Sequence, residues 1–416
     1  MEKWSFGIDN DKLIELVLSG KKTATSSLYD KDYLPVISEE SIIIFDNEKE
    51  ACVVRTKGYK IIRFGDVTED MAFLEGEGDL SLRYWKKVHY EFFKSQDDKF
   101  NEDSKIIFEE FEVIKNLVQE RLHLGEYIAS KNLDLFESVI TIKEINAGFN
   151  NTLFNVNDKY VIKVCTNKNK EDEFKVEYNF YKANLNNKFI PKLYKFDDSK
   201  KDIEYVYEIL EKLDGNTLYY YWYKMEETER ENTIKKLMDI IKEFHISTVD
   251  EYDWKGKITS DIEKNIIKCK ELFNCDDYNM ILESIKKYDL YLNDNYFSLL
   301  HNDLHFDNII YNNGDLKIID FNDSIVAPID FEFRQLYMCQ EQPWKWANIE
   351  VDPLQKAEDY KYIWKYIKDN YEKLSSIKYL EERMIIYSIW NDSGHLIRFK
   401  TKELIDRIID NSKKLL

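Results

Sequence analysis

A chain of 416 residues is longer than one ordinary hydrophobic core supports, so two or three domains are expected. With 44% hydrophobic residues and 15% aromatics it can build large cores, while only 12 Gly and 5 Pro leave little material for flexible linkers. A formal net charge of −19 excludes a general binder of nucleic-acid phosphates; it suits a cationic small molecule, or simply an acidic, soluble surface.

In chain order, the apolar spacing of Leu13, Ile14, Leu16, Val17 and Leu18 predicts a helix from Asp11 that ends at Gly20. Residues 20–25 (G-K-K-T-A-T) then read as a basic, hydroxyl-rich turn. Ile and Val content predicts strands from Ser41 to Phe45 and from Ala51 to Lys60, with a further strand from Ile106 to Ile114. Between them lie a short helix capped by Thr68, an acidic glycine turn over Glu75, Gly76, Glu77, Gly78 and Asp79, and an aromatic helix from Ser81 to Phe93.

The G-K-K-T-A-T turn, followed by E-G-E-G-D and the aromatic helix, resembles an ASCH domain, a small β-barrel related to PUA-type RNA-binding modules. Some members of that family hydrolyse the amide of an acetylated cytidine with a Lys, a Thr and a Glu. By position the resemblance implies Lys22, Thr25 and Glu75, with Glu77 as a second candidate. A lysine beside a hydroxyl and a carboxylate is able to activate a nucleophile. The same lysines also fit an anion or nucleotide cleft, a solvated surface, or a vestigial pocket. Through Gly125 the segment carries 18 Lys plus Arg and 26 Asp plus Glu, a net −8. A single nucleoside or a structured RNA pocket is therefore a better partner than long nucleic acid.

Leu117 to Leu135 is helix-prone and free of Pro, so a packed helical connector is expected over 118–138. Beyond it, Val139 to Ile145 and Leu153 to Val156 read as strands around a turn at Gly148, whose backbone amides suit phosphate oxygens. A strand from Lys159 to Val164 carries Lys163, which is costly to bury alone and needs an anionic partner. Glu177, in the helical pattern from Phe174 to Leu185, is that candidate, with Glu173 as the competitor. The run from Tyr205 to Gly215 reads as strand and hinge, and its backbone from Glu208 to Leu210 is expected to meet a nucleotide base. Helices follow over Glu231 to His245 and over Ile258 to Tyr291.

The chemistry concentrates at His301, Asp303 and Asn308, then at Ile319, Asp320 and Phe321. Apolar runs on either side of Asn312, Asn313, Gly314 and Asp315 predict a hairpin whose ends present carboxylates. Phosphoryl transfer needs a base or orienter for the attacking hydroxyl and oxygen ligands for Mg²⁺. Asp303 takes the first role, and Asn308 and Asp320 the second.

H-x-D-x-x-x-x-N followed by I-D-F resembles the aminoglycoside phosphotransferase and choline kinase group of kinase-like folds. The resemblance implies an α+β chain: a small β-barrel over 1–117, the connector, and a bilobal kinase-like domain over 139–416 with its lobes dividing near 210. It implies ATP or GTP with Mg²⁺, and Lys163, paired with Glu177, on the phosphates. Asn322 stands where protein kinases have the glycine of D-F-G. Nine residues between Asp320 and Asp330 leave no room for a peptide-binding activation segment, so a small-molecule acceptor is expected, with Asp330 bracing the catalytic loop. An aminoglycoside-like acceptor would confer antibiotic resistance. The competing reading makes the ASCH part, as a nucleoside- or RNA-binding module, the main function.

No apolar run approaches the roughly 18 residues of a membrane span, and Met1 to Phe6 lacks the apolar core of a signal peptide, so no membrane partner and a cytoplasmic location are expected. The five cysteines are scattered and odd in number, which predicts neither a disulfide framework nor a zinc site. These motifs name no acceptor and fix no oligomeric state.

Overall fold

The computed structural model describes residues 1–136, 141–145, 151–201, 203–245, 252–293, 296–343, 345–347 and 351–416. It is a mixed α+β chain that divides into two compact units, one of residues 1–167 with 199–205 and one of residues 168–198 with 206–416.

The first unit is built on a curled five-stranded sheet of β1 (Glu2–Trp4), β2 (Ala24–Leu28), β3 (Glu40–Ile44), β4 (Glu50–Arg63) and β5 (Lys105–Asn116), joined by α1 (Asn10–Leu18), α2 (Glu69–Glu75) and α3 (Leu82–Gln96). The strand order is β1-β3-β4-β5-β2, with β1 parallel to β3 and the other pairs antiparallel. Lys57 is an extra residue between the Thr56–Phe111 and Gly58–Glu110 pairs, a bulge that bends β4 and helps the sheet curl. Ile14 and Val17 of α1 pack with Ile43, Cys52, Val54 and Phe111. Met71, Ala72, Trp85 and Phe93 from α2 and α3 build a second core with Phe64, Phe100, Ile106 and Phe108. Both helices start on side-chain caps: Thr68 accepts from the Met71 amide at 3.3 Å and Ser81 from the Tyr84 amide at 3.1 Å.

Two details differ from the sequence reading. The basic turn ends early, because β2 begins at Ala24 and places Thr25 on a strand, while β1 is too short and too exposed to leave an apolar pattern.

The same unit continues through α4 (Leu117–Ser130), α5 (Leu133–Phe136) and an antiparallel meander of β6 (Ile142–Ile145), β7 (Thr152–Val156) and β8 (Tyr160–Val164). Asn116 caps α4 through the Gln119 amide at 2.9 Å. Charge ties the meander back to the curled sheet: Glu144 of β6 meets Lys49 at 3.3 Å and Arg121 of α4 at 2.8 Å, and Arg121 donates to the Glu50 carbonyl at 2.7 Å. Gly125 lets α4 lie directly on β7, since a Cβ there would stand 2.8 Å from the Phe154 ring. Gly148 lies outside the described residues.

The second unit comprises α6 (Glu171–Ala183), a hairpin of β9 (Leu193–Asp197) and β10 (Tyr207–Glu211), β11 (Asn216–Thr217), α7 (Tyr219–Trp222), α8 (Glu227–Phe244), α9 (Trp254–Lys268), α10 (Cys275–Ile285), α11 (Tyr288–Tyr291) and β12 (Phe297–Leu300). It ends with β13 (Ile309–Asn312), β14 (Asp315–Ile318), β15 (Ile325–Pro328), α12 (Arg334–Met338), α13 (Ile363–Asn370), α14 (Leu380–Phe399) and α15 (Lys402–Lys414). The expected hairpin is β13–β14, turned by Asn313 and Gly314 with φ of 48° and 91°, and it is joined by β11, while β12 pairs with β15. The single helix expected over 258–291 is instead three, because Asn274 caps a fresh start at α10 by accepting from the Asp277 amide at 2.8 Å. No helix among the described residues is long and apolar enough to cross a membrane.

Replacing Gly125 by Ala adds a methyl group against the buried Phe154 ring. Overpacking of this kind costs about 1–3 kcal/mol, more than the roughly 1 kcal/mol of helix propensity gained. Gly125→Ala should therefore lower the Tm of the chain in thermal denaturation.

Candidate active site

The loop after β12 is held by a buried carboxylate. Glu332 accepts the His301 amide at 2.8 Å and the Asn302 amide at 3.0 Å, one on each oxygen, and its third contact is the Nε2 of His245 at 3.3 Å. Burial alone would raise the Glu332 carboxyl, yet the hydrogen bonds to His245 and to the loop hold it below the ordinary glutamate range. His245 is thus a core residue, also bonded to Tyr371.

His301 then ties the loop to the next motif. Its Nδ1 accepts from the Asp303 amide at 3.1 Å, so the proton sits on Nε2, which donates to the Ile319 carbonyl at 2.9 Å. The Ile319 amide in turn donates to the Asn308 carbonyl at 3.0 Å. Asp320, next in the chain, has φ 67°, and Asn302 has φ 68°; both are left-handed positions of the kind stored at functional loops.

Asp303 is gripped from several sides. Gln335 of α12 donates to its Oδ1 at 2.6 Å, Asn308 donates to its Oδ2 at 3.1 Å and to its carbonyl at 2.9 Å, and His305 Nε2 lies 3.4 Å from Oδ2. Burial works against its charge, but His305 and Gln335 outweigh it and hold the carboxyl well below the ordinary aspartate range. With these donors around it the carboxylate stays ionised and acts as an acceptor. Neighbouring Asp307 and Asp323 are pushed upward, first by burial and then in part by Asp303 and Asp320.

The amide of Asn308 spends its nitrogen on Asp303, which turns its carbonyl oxygen to other use, and oxygen donors from Asn308 and Asp320 are the hard ligands that magnesium takes. The site chemistry fits that ion.

Glu177 of α6 is fully buried and accepts the Phe321 amide at 3.3 Å, so it braces the backbone just after Asp320. Phe180 stacks on Phe321 with ring centroids 4.0 Å apart. The hydroxyl of buried Tyr181 is pushed well up by burial and by Glu177, Glu208 and Asp320. Glu208 and Leu210 are buried on β10, and Lys163 is buried on β8 in the first unit.

Asp330 does not brace the loop. Its carboxylate is closed by Arg383 of α14 at 2.6 and 2.9 Å and by the Tyr387 hydroxyl at 3.1 Å, while Arg383 also donates to the Tyr291 and Asn293 carbonyls. Glu332, two residues on, does the bracing. The sequence reading chose the wrong acid, because which one reaches the loop depends on how the turn after β15 lies on α14.

The ASCH candidates sit in the first unit. Lys22 is buried and donates to Glu75 at 2.9 Å and to Glu77 at 2.6 Å, and Ser26 donates to the other Glu75 oxygen at 2.6 Å. Burial opposes the Lys22 charge, but the two glutamates prevail and raise it. Glu75, despite its burial, is held down to about 2 by Lys22 and His89. Lys22 is therefore neither solvated nor free for an anion. Thr25 lines the same cavity and pairs across the sheet with Glu109.

A family model described as the phosphotransferase enzyme family matches residues 141–363, more than half of the chain. The chain belongs to that family. An ASCH domain model matches residues 2–115 of this phosphotransferase. Its fold is similar to that of a GDP complex of an aminoglycoside 2′-phosphotransferase, 14% identical with a TM-score of 0.53, covering 71% of this chain and 96% of that one. A GDP and kanamycin complex of a 2″-phosphotransferase gives 15% identity, a TM-score of 0.52 and coverage of 71% and 98%. An ASCH domain from Lactobacillus crispatus JV V101 is 27% identical over 28% of this chain and 80% of its own, with a TM-score of 0.27. No curated relative matches the phosphotransferase.

Glu332→Gln keeps the shape but turns an NH2 toward one of the two loop amides. A buried amide left unpaired costs about 1–3 kcal/mol, so the variant should unfold at lower urea with an unchanged m-value.

Proposed function

We propose that this phosphotransferase moves the γ-phosphoryl group of ATP or GTP to a hydroxyl of a small cationic acceptor of the aminoglycoside kind. The observation that carries the reading is the grip on Asp303: a carboxylate fixed by Gln335 and Asn308, bonded through Asn308 and His301 to the segment that ends in Asp320. In that reading the acceptor hydroxyl donates to Asp303, its oxygen attacks the γ-phosphorus, the bond to the β-phosphate oxygen breaks, and the proton passes to the carboxylate late in a loose transition state. Magnesium, when bound, would be held by Asn308 and Asp320 and would neutralise phosphoryl charge. Lys163 is assigned to the α- and β-phosphates with Glu177 as its counter-ion, Gly148 to the phosphate turn, and Glu208 and Leu210 to the base. Kanamycin and GDP, named for the structurally similar enzyme, are the probes this suggests. The acidic net charge supports a cationic acceptor.

In this reading the ASCH barrel occupies 1–117, the connector 118–138 and a bilobal kinase-like domain 139–416. The absence of an activation segment between Asp320 and Asp330 supports a small acceptor over a peptide. Asn322, in place of a glycine, argues for a fixed metal ligand at Asp320 over a mobile switch.

The direct test incubates the chain with ATP or GTP, Mg²⁺ and panels of aminoglycosides, choline-like amines, sugars and nucleosides, and follows phosphate-ester formation by mass spectrometry. A phosphorylated amino sugar is expected; phosphorylation confined to nucleosides would move the function to the competing class. Asp303→Ala should lower turnover by several orders of magnitude while nucleotide affinity stays within a few fold; unchanged turnover would refute the role.

Gln335 tests how the carboxylate is set. Gln335→Leu removes a hydrogen bond to a charged group, worth about 1.5–3 kcal/mol, so kcat should fall roughly 10- to 100-fold with little change in KM for nucleotide. With one donor gone the Asp303 carboxyl rises. Because a carboxylate with a depressed pKa is active above that value and is lost as pH falls through it, the acid limb of the kcat profile should move to higher pH in this variant.

A further inference from the structure

The first unit contains a cavity of about 750 Å³ that the phosphotransferase reading does not use. Its volume suits a ligand of nucleoside or amino-sugar size. Aromatic side chains, among them Phe6, Tyr84 and Phe92, form part of its wall, and Thr25, Ser27 and Thr56 add hydroxyls.

Its charge is one-sided. Seven carboxylates line it against two lysines, and both lysines are already engaged. Lys22 is closed between Glu75 and Glu77, and Lys12 pairs with Asp9 at 3.3 Å.

Glu109 is the exception among the inner carboxylates. It stands on β5 in the middle of the curled sheet, opposite Thr25 on β2 and Tyr59 on β4, and accepts the Thr56 hydroxyl at 2.6 Å. Among the described residues no Lys, Arg or His forms an ion pair with it. Burial therefore pushes its carboxyl upward, with only the Thr56 hydroxyl to oppose the shift. A half-buried carboxylate without a counter-charge, facing a cavity whose cations are committed elsewhere, is built to receive one.

The cavity also demonstrates the chemistry with its own lysine. The Lys22 ammonium is held by two carboxylates and lies 5.2 Å from the centroid of the Phe6 ring, a cation against an aromatic face. A phosphate oxygen entering the same space would find more carboxylates than cations, and the cavity's one buried ammonium, Lys22, is closed between Glu75 and Glu77.

We propose that this cavity binds a small organic cation, an ammonium on an apolar or ring-shaped body, with Glu109 as its counter-ion. RNA and phosphorylated nucleosides are the competing occupants, and the surplus of carboxylates disfavours both. The proposal uses no residue assigned to phosphoryl transfer and stands or falls without it.

The test is calorimetric titration of the full chain with 2-phenylethylamine, its neutral counterpart 2-phenylethanol, cytidine and cytidine monophosphate. The amine should bind at least tenfold more tightly than the alcohol, and its affinity should fall as salt rises from 50 to 500 mM while that of the alcohol does not. Glu109→Gln, which keeps size and the bond from Thr56, should weaken the amine at least tenfold and leave the alcohol unchanged. The salt comparison on the unmodified chain needs no variant, so a folding defect in Glu109→Gln does not shelter the idea. Equal affinity for amine and alcohol, amine binding that survives Glu109→Gln, or preferential binding of cytidine monophosphate would each overturn it.

Discussion

One buried carboxylate decides where the candidate catalytic residues of the second unit stand. Glu332 gives an oxygen to each of two successive backbone amides, those of His301 and Asn302, and is itself steadied by His245. Asn302 can then remain in the left-handed region, the chain turns, and Asp303 emerges where Gln335 and Asn308 reach it. Without that anchor the loop amides would be buried donors lacking acceptors, and the strained turn would relax. The anchor is stable because its charge is offset by hydrogen-bond donors on every side.

The same device recurs at several other buried charges of this protein. Asp330 is matched by Arg383 and Tyr387, linking the segment after β15 to the long helix α14. Lys22 is matched by Glu75 and Glu77, linking the end of α1 to the end of α2. Glu144 is matched by Lys49 and Arg121, drawing the meander onto the curled sheet. Each pair joins segments far apart in sequence. Breaking any one of them would strand a charge, which is why such pairs fix geometry even where they add little net stability. Glu109 is set apart by having no such match.

The two carboxylates in the segment from Pro328 to Phe333 show how close a sequence reading comes and where it stops. Both acids stand in the sequence, flanking Phe331 in an apolar frame, and the bracing role was expected of Asp330. Which acid braces depends on the tight turn over Ile329–Phe333, which sends Asp330 toward α14 and Glu332 toward the loop. Gln335 was invisible for a similar reason. A glutamine near the start of a short helix has no motif, and its value comes only from lying 2.6 Å from Asp303.

The sequence alone determined the local matters: the hairpin at Asn313 and Gly314, the caps at Thr68 and Ser81, the spacing of Asp303, Asn308 and Asp320, and the two-part organisation with its family. Those follow from short-range sterics and from side chains a few residues apart. Tertiary structure decided which distant groups share a charge. It buried Lys22 in an ion pair, gave the loop to Glu332 instead of Asp330, split the helix expected over 258–291, and left Glu109 facing a cavity with a hydroxyl partner and, among the described residues, no counter-charge. The energy of a buried charge depends on neighbours brought in from other parts of the chain, and no linear pattern records them.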